Sequence, residues 1–566
     1  MSYVRITISV GVFLGGWIAM SGFALADAKN SIDDRARHFI AEHEATIRPL
    51  EIEVGRRWWL ANISGKEDDF ARKQQIETEL DLKLADRSRF DELSALRKEK
   101  PSDPLLARQI EVLYLQYLAK QLDPKLLEQM VAKANAIEKG FNVFRPEVNG
   151  KQWTDNEVRR LLKSSKDSRE RRQVWEASKR VGSQVEAELK ELVALRNEAA
   201  RKLGRKNYHA LQLELSEQSQ EQVLKLFDEL DTLTRDHFQT AKAEFDAILA
   251  RYFGIPIDEL RPWHYHDPFF QEPPAVFAAD LDSVYAKVDI LKLCRDFYAG
   301  IGLPIEDVIA RSDLYEKAGK SPHAFCIDVD REGDVRVLAN IVPNEQWMST
   351  MLHELGHSVY SSKNIPASLP YVLRTDAHIL ATEGVAMQFE RFSKSAQWLQ
   401  SMGVAVPDPR SFNETASKMR RNQLLIFSRW CQVMLRFEMG LYDDPTQDLN
   451  RLWWDLVERY QQIRRPEGRD APDYGSKIHI VSAPCYYHNY MMGELFACQV
   501  HDAIVRDVLD GAEPLTAIYV GNQRVGDFMK QRVFAPGRTL TWNGLTRHAT
   551  GEDLNARAFA AEFKGG

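Results

Sequence analysis

Two histidines and a glutamate, His353, Glu354 and His357, form the clearest chemical pattern in this chain. On a helix, residues four apart lie one above the other on the same face, so both imidazoles can bind one metal ion. Glu354 lies one position from His353, where its carboxylate can take a proton from a water molecule held at that metal. This spacing is typical of a site for one Zn²⁺ ion and predicts a zinc-dependent hydrolase. A histidine pair with a purely structural role is the alternative.

A catalytic zinc site needs a third protein ligand, which we expect on a second helix after this motif. The nearest candidates are Asp376, His378 and Glu383. Glu383 lies in an otherwise apolar helical run, where a carboxylate is costly to bury unless it is paired or bound to a metal. Glu383 is therefore predicted to be the third ligand, with His378 in reserve.

The helix that carries the motif is predicted to start near Asn344, directly after a β-hairpin. Residues 324–329 and 335–339 are short apolar runs rich in β-branched side chains, and a polar turn with Gly333 joins them. Two such runs around a short turn predict a hairpin. Its exposed edge can pair with an extended peptide, and a purely structural hairpin is the alternative.

Most of the remaining chain has a helical pattern. Apolar residues recur at three- and four-residue steps over residues 31–135, 155–203, 219–252 and, with three interruptions, 358–508. Residues 254–274 are rich in proline and aromatic side chains; we expect a loop packed against the body, with a cleft wall as the alternative. The predicted fold class is mainly α, with one small β-hairpin beside the zinc helix.

Composition narrows the class of protein further. The 566 residues, 44% of them hydrophobic, suffice for a large core and more than one lobe. A formal charge of −7, without a basic patch rich in aromatic residues, argues against nucleic acid as a partner. The five cysteines show no metal-binding spacing, so buried free thiols are expected, with one or two disulfides as the alternative.

Residues 1–26 are predicted to be a cleaved signal peptide. Arg5 is their only charged residue, residues 6–25 are apolar or small, and Ala24-Leu25-Ala26 has the form of a signal-peptidase site. Residues 27–566 would then be a secreted or periplasmic protein. A membrane anchor retained at residues 1–26 is the alternative, and no stable membrane insertion is expected elsewhere because no later run approaches the ~20 apolar residues of a spanning helix.

The chain resembles the angiotensin-converting enzyme (peptidyl-dipeptidase A) family of zinc metallopeptidases, as a divergent, bacterial-type member. The resemblance is clearest over residues 322–500 and depends on motifs that occur in the family's order. They are His323-Ala324, thirty residues before His353; the zinc motif; Ile365-Pro366 and Leu373-Arg374; Glu383; Trp453-Trp454 with Tyr460-Gln461; Lys477-x-His479; and Tyr487 with Tyr490.

This resemblance implies a fold and a metal centre. The fold would be a helical ellipsoid with a deep central cleft between two lobes, formed as one peptidase domain by residues 27–566, with N-terminal helices over the cleft entrance. His353, His357 and Glu383 would hold zinc, and Glu354 would act as the general base.

The resemblance also implies how a peptide is held. Tyr490 would donate a hydrogen bond to the oxyanion that forms from the attacked carbonyl, with His479 sharing that role. Lys477 and Tyr487 would bind the C-terminal carboxylate of the substrate, so that two residues are released at a time. The residues expected to hold the peptide main chain are His323, Ala324 and Cys326.

The tyrosine and acidic positions depart from the family pattern. The tyrosine segment needs a one-residue insertion, which leaves open whether Tyr486, Tyr487 or Tyr490 stabilises the oxyanion. Met387 replaces an acid that orients a zinc histidine in the family, so another residue fills that role or it is missing.

Two ligand-binding positions of the family also differ. The arginines that bind activating chloride are lost: Val457 stands at one position and His488 or Asn489 at the other, which predicts weak or absent chloride activation. The glutamine that helps to bind the substrate carboxylate cannot be placed, because residues 263–271 do not align cleanly.

The predicted function is a zinc metallopeptidase that removes C-terminal dipeptides from short, unfolded peptides. An oligoendopeptidase or a simple carboxypeptidase on the same scaffold is the enzymatic alternative. A non-catalytic peptide-binding protein is a third possibility, against which the intact His353, Glu354 and His357 argue.

Overall fold

A computed structural model describes residues 31–274 and 281–564. The signal peptide or membrane anchor predicted at residues 1–26 lies outside these ranges. Within them, no helix combines the length and the apolar character needed to cross a bilayer. The described chain is mainly helical with two small antiparallel β-ladders, which confirms the predicted fold class. The division into two lobes around a cleft stays a prediction.

Helices make up most of the first half of the chain, and a side chain caps the first turn of each α-helix there except the one that begins at Glu67. Asp103 accepts hydrogen bonds from two backbone N–H groups of the helix that begins at Pro104, since both residues suit a helix start. The elements are α1 (Ile32–Ser64), α2 (Glu67–Leu84), α3 (Arg87–Glu99), α4 (Pro104–Leu118), α5 (Pro124–Val143), β1 (Glu147–Val148), β2 (Lys151–Gln152), α6 (Asp155–Ser164), α7 (Ser168–Lys202), α8 (Tyr208–Leu215) and α9 (Gln220–Phe253).

The second half carries the zinc motif and consists of the remaining helices and one hairpin. They are α10 (Asp282–Tyr285), α11 (Ile290–Gly300), α12 (Glu306–Arg311), β3 (Phe325–Asp328), β4 (Val335–Leu338), α13 (Glu345–Val359), α14 (Ile379–Glu390), α15 (Ala396–Ser401), α16 (Pro409–Asp443), α17 (Leu449–Leu456), α18 (His479–Ser482), α19 (His488–Asp507), α20 (Gln523–Phe528), α21 (Trp542–Thr550) and α22 (Arg557–Ala561).

The predicted hairpin is present and lies directly before the zinc helix. Strands β3 and β4 pair in antiparallel register, with Phe325 opposite Leu338 and Asp328 opposite Val335. Helix α13 begins as predicted, because the side chain of Asn344 accepts a hydrogen bond from Trp347 N at 2.8 Å. Helix α1 covers the hairpin, with the ring centres of Trp58 and Phe325 4.1 Å apart.

The second ladder, β1 with β2, was not predicted. Asn149 and Gly150 both adopt positive φ between its strands, as a tight two-residue hairpin turn requires. The Asn-Gly signal is present in the sequence, but the flanking residues are not the alternating apolar and polar residues that normally accompany it.

Two glycines allow three helices of the site to pack at backbone contact. A Cβ at Gly356 of α13 would lie 2.8 Å from Ala386 Cα of α14, and one at Gly384 of α14 would lie 2.7 Å from the Gly493 carbonyl oxygen of α19. Both distances are shorter than a carbon atom allows. The absence of side chains at these positions therefore brings the helix with Glu383 against the zinc helix.

We predict that Gly356→Ala lowers the free energy of unfolding by about 1–3 kcal/mol, because the added methyl group must push α13 and α14 apart. Thermal and urea unfolding would measure the loss. Gly140→Ala is the matched control: it lies inside α5 with its nearest neighbour, Val185 Cγ1, at an ordinary 3.5 Å. This control should instead gain up to about 1 kcal/mol from helix propensity. Equal effects of the two substitutions would contradict the proposed role of the close contact.

Candidate active site

His353, His357 and Glu383 converge on one point between α13 and α14. The Nε2 atoms of the two histidines are 3.1 Å apart, and His353 Nε2 lies 3.6 Å from Glu383 Oε2. The ligand atoms of the three residues all lie within 4.8 Å of one another. The arrangement of the two histidines follows from their four-residue spacing, and Glu383 reaches them because of the close helix contact.

The reserve ligand, His378, lies elsewhere. It precedes α14 as its capping residue, and its Nδ1 accepts a hydrogen bond from Leu380 N at 3.1 Å. Burial and the charge of Arg538 lower its pKa to about 4, so the ring is neutral and serves the helix end. Glu383 is therefore the third side chain that the fold brings to the histidine pair.

The donor set of this cluster fits Zn²⁺. Two imidazole nitrogens and one carboxylate oxygen match the ligands that catalytic zinc sites use, with a further position left for water or substrate. The two Nε2 atoms face each other, and two ring lone pairs at 3.1 Å repel unless a cation or a proton lies between them. The geometry thus favours a positive ion at this point.

Each histidine of the pair contacts a side chain of α14 through its other ring nitrogen. His353 Nδ1 lies 2.6 Å from Glu390 Oε2, and His357 Nδ1 lies 2.8 Å from Thr382 Oγ1. Such contacts fix the ring and its tautomer. The orienting acid that Met387 cannot provide is therefore Glu390, three residues further along the same helix.

Carboxylates and burial shift the pKa values of the two histidines in opposite directions. Burial lowers the pKa of His353, but the hydrogen bond and charge of Glu390, with the charges of Glu354 and Glu383, outweigh it and raise the pKa to about 9. Burial, together with the charge of His353, lowers the pKa of His357 to about 3. Three carboxylates beside one imidazole pair form an environment that strongly attracts a cation.

Glu354 is buried beside the first strand of the hairpin. Burial raises its pKa to about 7; the charges of Glu383 and Glu390 add to this and the charge of His353 opposes it. The backbone N–H of Cys326 forms a hydrogen bond with its carboxylate. A carboxylate with a pKa near neutrality can both accept and release a proton, as a general base and acid must.

The hairpin brings the predicted main-chain-binding residues next to this carboxylate. Cys326 lies in β3 opposite Val337, while Ala324 and the exposed His323 precede the strand. Burial and the charge of Glu354 raise the pKa of the Cys326 thiol, which therefore stays protonated. Residues 323–326 thus form an edge that leads past the candidate base.

The tyrosine segment begins with a sharp turn at Cys485. This residue has a φ of 59°, and its N–H donates to Glu438 Oε1 at 2.8 Å. Burial raises the pKa of Tyr490, and the nearby Glu383 carboxylate raises it further; the same two causes act on Tyr486. The fold therefore places both phenols near Glu383, the candidate third ligand, and their rings are 5.2 Å apart.

Tyr487 points instead toward Lys477 and His479. Its ring centre lies 5.4 Å from Lys477 Nζ and 5.4 Å from the ring of His479. Two buried hydrogen bonds, from the Arg196 guanidinium to the carbonyl oxygens of Ile480 and Val481 at 3.1 and 2.7 Å, hold this segment. The tyrosine pair links the two parts of the site, since the Tyr487 and Tyr490 rings are 5.6 Å apart.

Gln271 completes the group around Lys477 and was missed at the sequence level. Its Oε1 accepts a hydrogen bond from Lys477 Nζ at 2.7 Å. Asp267 shapes the preceding turn by accepting hydrogen bonds from the N–H groups of Phe269 and Gln271, at 2.8 and 3.1 Å.

Part of the loop also forms the wall of a cavity. This cavity is lined by Pro268, Phe269 and Gln271 together with Lys477 and His479. In the sequence, the role of Gln271 was indicated by no more than a single glutamine within an aromatic loop.

Different side chains stand at the two positions where the family has chloride-binding arginines, and they make contacts of their own. Val457 is buried, and Asn489 Oδ1 accepts a hydrogen bond from Gln218 Nε2 at 2.7 Å. His488 Nε2 lies 2.8 Å from Gln218 Oε1, and its pKa is lowered to about 3 by burial and by the charge of His209. Weak or absent chloride activation stays a prediction.

We predict that Glu390→Gln weakens zinc binding about 10- to 100-fold, because an amide orients and polarises His353 less well than a carboxylate. Competition with a fluorescent chelator would measure the dissociation constant directly, without reference to activity. Glu414→Gln, at an exposed position of α16, is the control and should leave it unchanged. Equal zinc affinity in the two variants would show that Glu390 does not orient the ligand.

Comparison with known proteins agrees with these features. A profile of the family described as "Angiotensin-converting enzyme", peptidase family M2, matches residues 30–240 and 266–565. Angiotensin-converting enzyme of Theromyzon tessulatum is 22% identical over 298 residues, which are 50% of this chain and 47% of that protein. The enzyme of Mesocricetus auratus is 22% identical over 310 residues, 51% of this chain and 23% of that protein.

The chain thus aligns with about half the length of the first of these relatives and about a quarter of the second. The family match covers most of the chain, including every residue of the proposed metal centre. This chain is therefore a divergent member of the angiotensin-converting enzyme family of metallopeptidases.

Proposed function

We propose that this protein is a zinc metallopeptidase that removes dipeptides from the C-termini of short peptides. The observation that carries the proposal is the group formed by Lys477, Gln271 and Tyr487, whose tyrosine ring lies 5.6 Å from the ring of Tyr490. An ammonium, an amide and a phenol suit a carboxylate. The tyrosine pair connects this group to Glu383, so a bound C-terminus would lie at a fixed distance from the reacting bond.

The metal ligands and the base have separate tasks. His353, His357 and Glu383 would hold Zn²⁺, which supplies Lewis acidity toward the carbonyl oxygen and acidifies water. Glu354 takes a proton from the attacking water and passes it to the nitrogen of the leaving dipeptide. Its burial keeps bulk water away, and its pKa near 7 permits both transfers.

The oxyanion that forms on the attacked carbonyl needs a hydrogen-bond donor from the protein. Tyr490 is our choice, with Tyr486 as the neighbouring alternative, because both phenols lie near Glu383. Burial raises the pKa of both, so each keeps the proton that it must donate. His479, neutral because burial and Lys477 lower its pKa to about 4, has a buried Nδ1 without a hydrogen-bond partner among the described residues. That atom suits a contact with the substrate.

The substrate main chain would follow the strand edge at His323, Ala324 and Cys326. An extended peptide can add to such an edge through backbone hydrogen bonds. Short peptides are the proposed partners and nucleic acid is not. Export to the periplasm or cell exterior remains a prediction from residues 1–26.

We predict that Glu354→Ala lowers kcat by on the order of 10³-fold or more while zinc stays bound, because the variant loses the base but none of the ligands. Steady-state kinetics and metal analysis of the same preparation would test this. Unchanged turnover would contradict the mechanism. If the wild-type protein is itself inactive and binds peptides as tightly as the variant does, the non-catalytic alternative is favoured.

We predict that a peptide with a free C-terminus is cut roughly 10- to 100-fold faster, in kcat/KM, than its amidated twin, because amidation removes the charge that Lys477 binds. Lys477→Met should remove this difference by slowing only the free-ended peptide. Lys133→Met, which breaks an exposed ion pair with Glu191, is the control.

Mass spectrometry of the products identifies the bond that is cut. Equal cleavage of both peptides at internal bonds would favour an oligoendopeptidase, and release of single residues a carboxypeptidase.

A further inference from the structure

A second buried lysine lies beside the proposed carboxylate site and is not used by the mechanism above. Lys179, in α7, is 3% exposed. Its Nζ lies 3.2 Å from the ring centre of Phe269, and that of Lys477 lies 5.3 Å from the same centre. Because both distances are measured from the same ring centre, the two ammonium nitrogens lie at most about 8.5 Å apart. Among the described residues, Lys179 Nζ donates one hydrogen bond, to Ser476 Oγ at 3.3 Å, although an ammonium group has three donors.

Neither lysine has a carboxylate partner within the part of the chain that the structure describes. The two acids whose charges act most strongly on Lys179 are Asp473 and Asp267. Arg469 holds Asp473 through two hydrogen bonds of 2.5 and 2.7 Å, and backbone N–H groups hold Asp267. Burial lowers the pKa of Lys179 to about 7 and that of Lys477 to about 8. Both shifts have the direction expected of ammonium groups that lack an anion.

The cavity that both lysines line has an excess of positive charge. Its volume is about 530 Å³, enough for an amino-acid residue of a bound peptide. Its lining includes Arg145 and Arg159 besides the lysines, and the one acid among the described lining residues, Asp155, is paired with Arg159 at 2.7 Å. An anionic ligand would therefore meet mainly complementary charge in this cavity.

We propose that Lys179 binds an acidic side chain on the last residue of the substrate, beside the α-carboxylate held by Lys477 and Gln271. The inference depends on the proposed function, because it needs a substrate whose free C-terminus enters this cavity. A C-terminal glutamate or aspartate carries two carboxylates on one residue, and the cavity offers two neighbouring ammonium groups. The enzyme then prefers peptides that end in an acidic residue.

The test is a competition between two N-acetylated tetrapeptides, Ala-Ala-Ala-Glu and Ala-Ala-Ala-Gln, both with a free C-terminus. Their last residues have nearly the same shape and differ in charge. Product ratios from the mixture give the ratio of kcat/KM values, which does not depend on how much enzyme is active. At about pH 6, where the glutamate side chain is ionised, the wild-type enzyme should favour the glutamate peptide by about 10-fold or more.

Lys179→Met should bring this ratio to about 1 and leave kcat/KM for the glutamine peptide within about 3-fold of wild type. Lys179→Arg should keep a preference for glutamate, and the surface variant Lys133→Met should keep it in full. The proposal is overturned if the wild-type enzyme shows no preference for the glutamate peptide, or if Lys179→Met retains that preference. It is also overturned if Lys179→Met lowers kcat/KM equally for both peptides. Release of dipeptides from both peptides at equal rates would refute only this inference, whereas cleavage at other bonds would refute the proposed function as well.

Discussion

The backbone contact between α13 and α14 is the constraint on which the metal centre depends. At Gly356 the two helices approach so closely that a single methyl group does not fit. This contact places Thr382, Glu383 and Glu390 of α14 against the two histidines of α13. Glu383 is the candidate third ligand, and the other two residues contact the imidazole rings. A small separation of the helices would therefore weaken the ligand set and its orientation together.

Buried polar side chains hold the other half of the site. Arg196 of α7 fixes the segment after Lys477, and Glu438 of α16 fixes the turn that begins the tyrosine segment. Burial raises the pKa of Glu438 to about 8, against the Cys485 N–H and the charge of Arg196. Such groups are costly to bury unless backbone groups satisfy them, so each chain segment that they bind has only one favourable position. Lys477 and the tyrosine segment thus derive their positions from polar contacts between distant parts of the chain.

The contrast between local sequence patterns and contacts of residues far apart in the chain explains which features could be predicted from the sequence. The histidine pair and its base follow from helical spacing, and Glu383 follows from the cost of burying an unpaired carboxylate. The hairpin and the start of α13 follow from local patterns as well. Glu390 was not predicted as the orienting acid, because its contact with His353 depends on how two helices pack. Gln271 reaches Lys477 across 206 positions of sequence, and no local pattern indicates such a contact.

The two ends of the candidate site differ in how their charges are balanced, and under the proposed function this difference would set the direction in which a peptide binds. At the histidine end, Glu383 and Glu390 lie beside His353 and would balance the charge of a bound dication, and Glu354 would be available to exchange a proton. At the other end, Lys477 and Lys179 form no ion pair with the described residues, and burial makes each charge costly until an anion arrives. Under the proposed function, a free C-terminus would therefore gain most by binding at the lysine end. The reversed orientation would leave both ammonium groups unpaired and bring a further carboxylate toward Glu354, so the charge distribution would favour the orientation in which a bond near the C-terminus faces the proposed base.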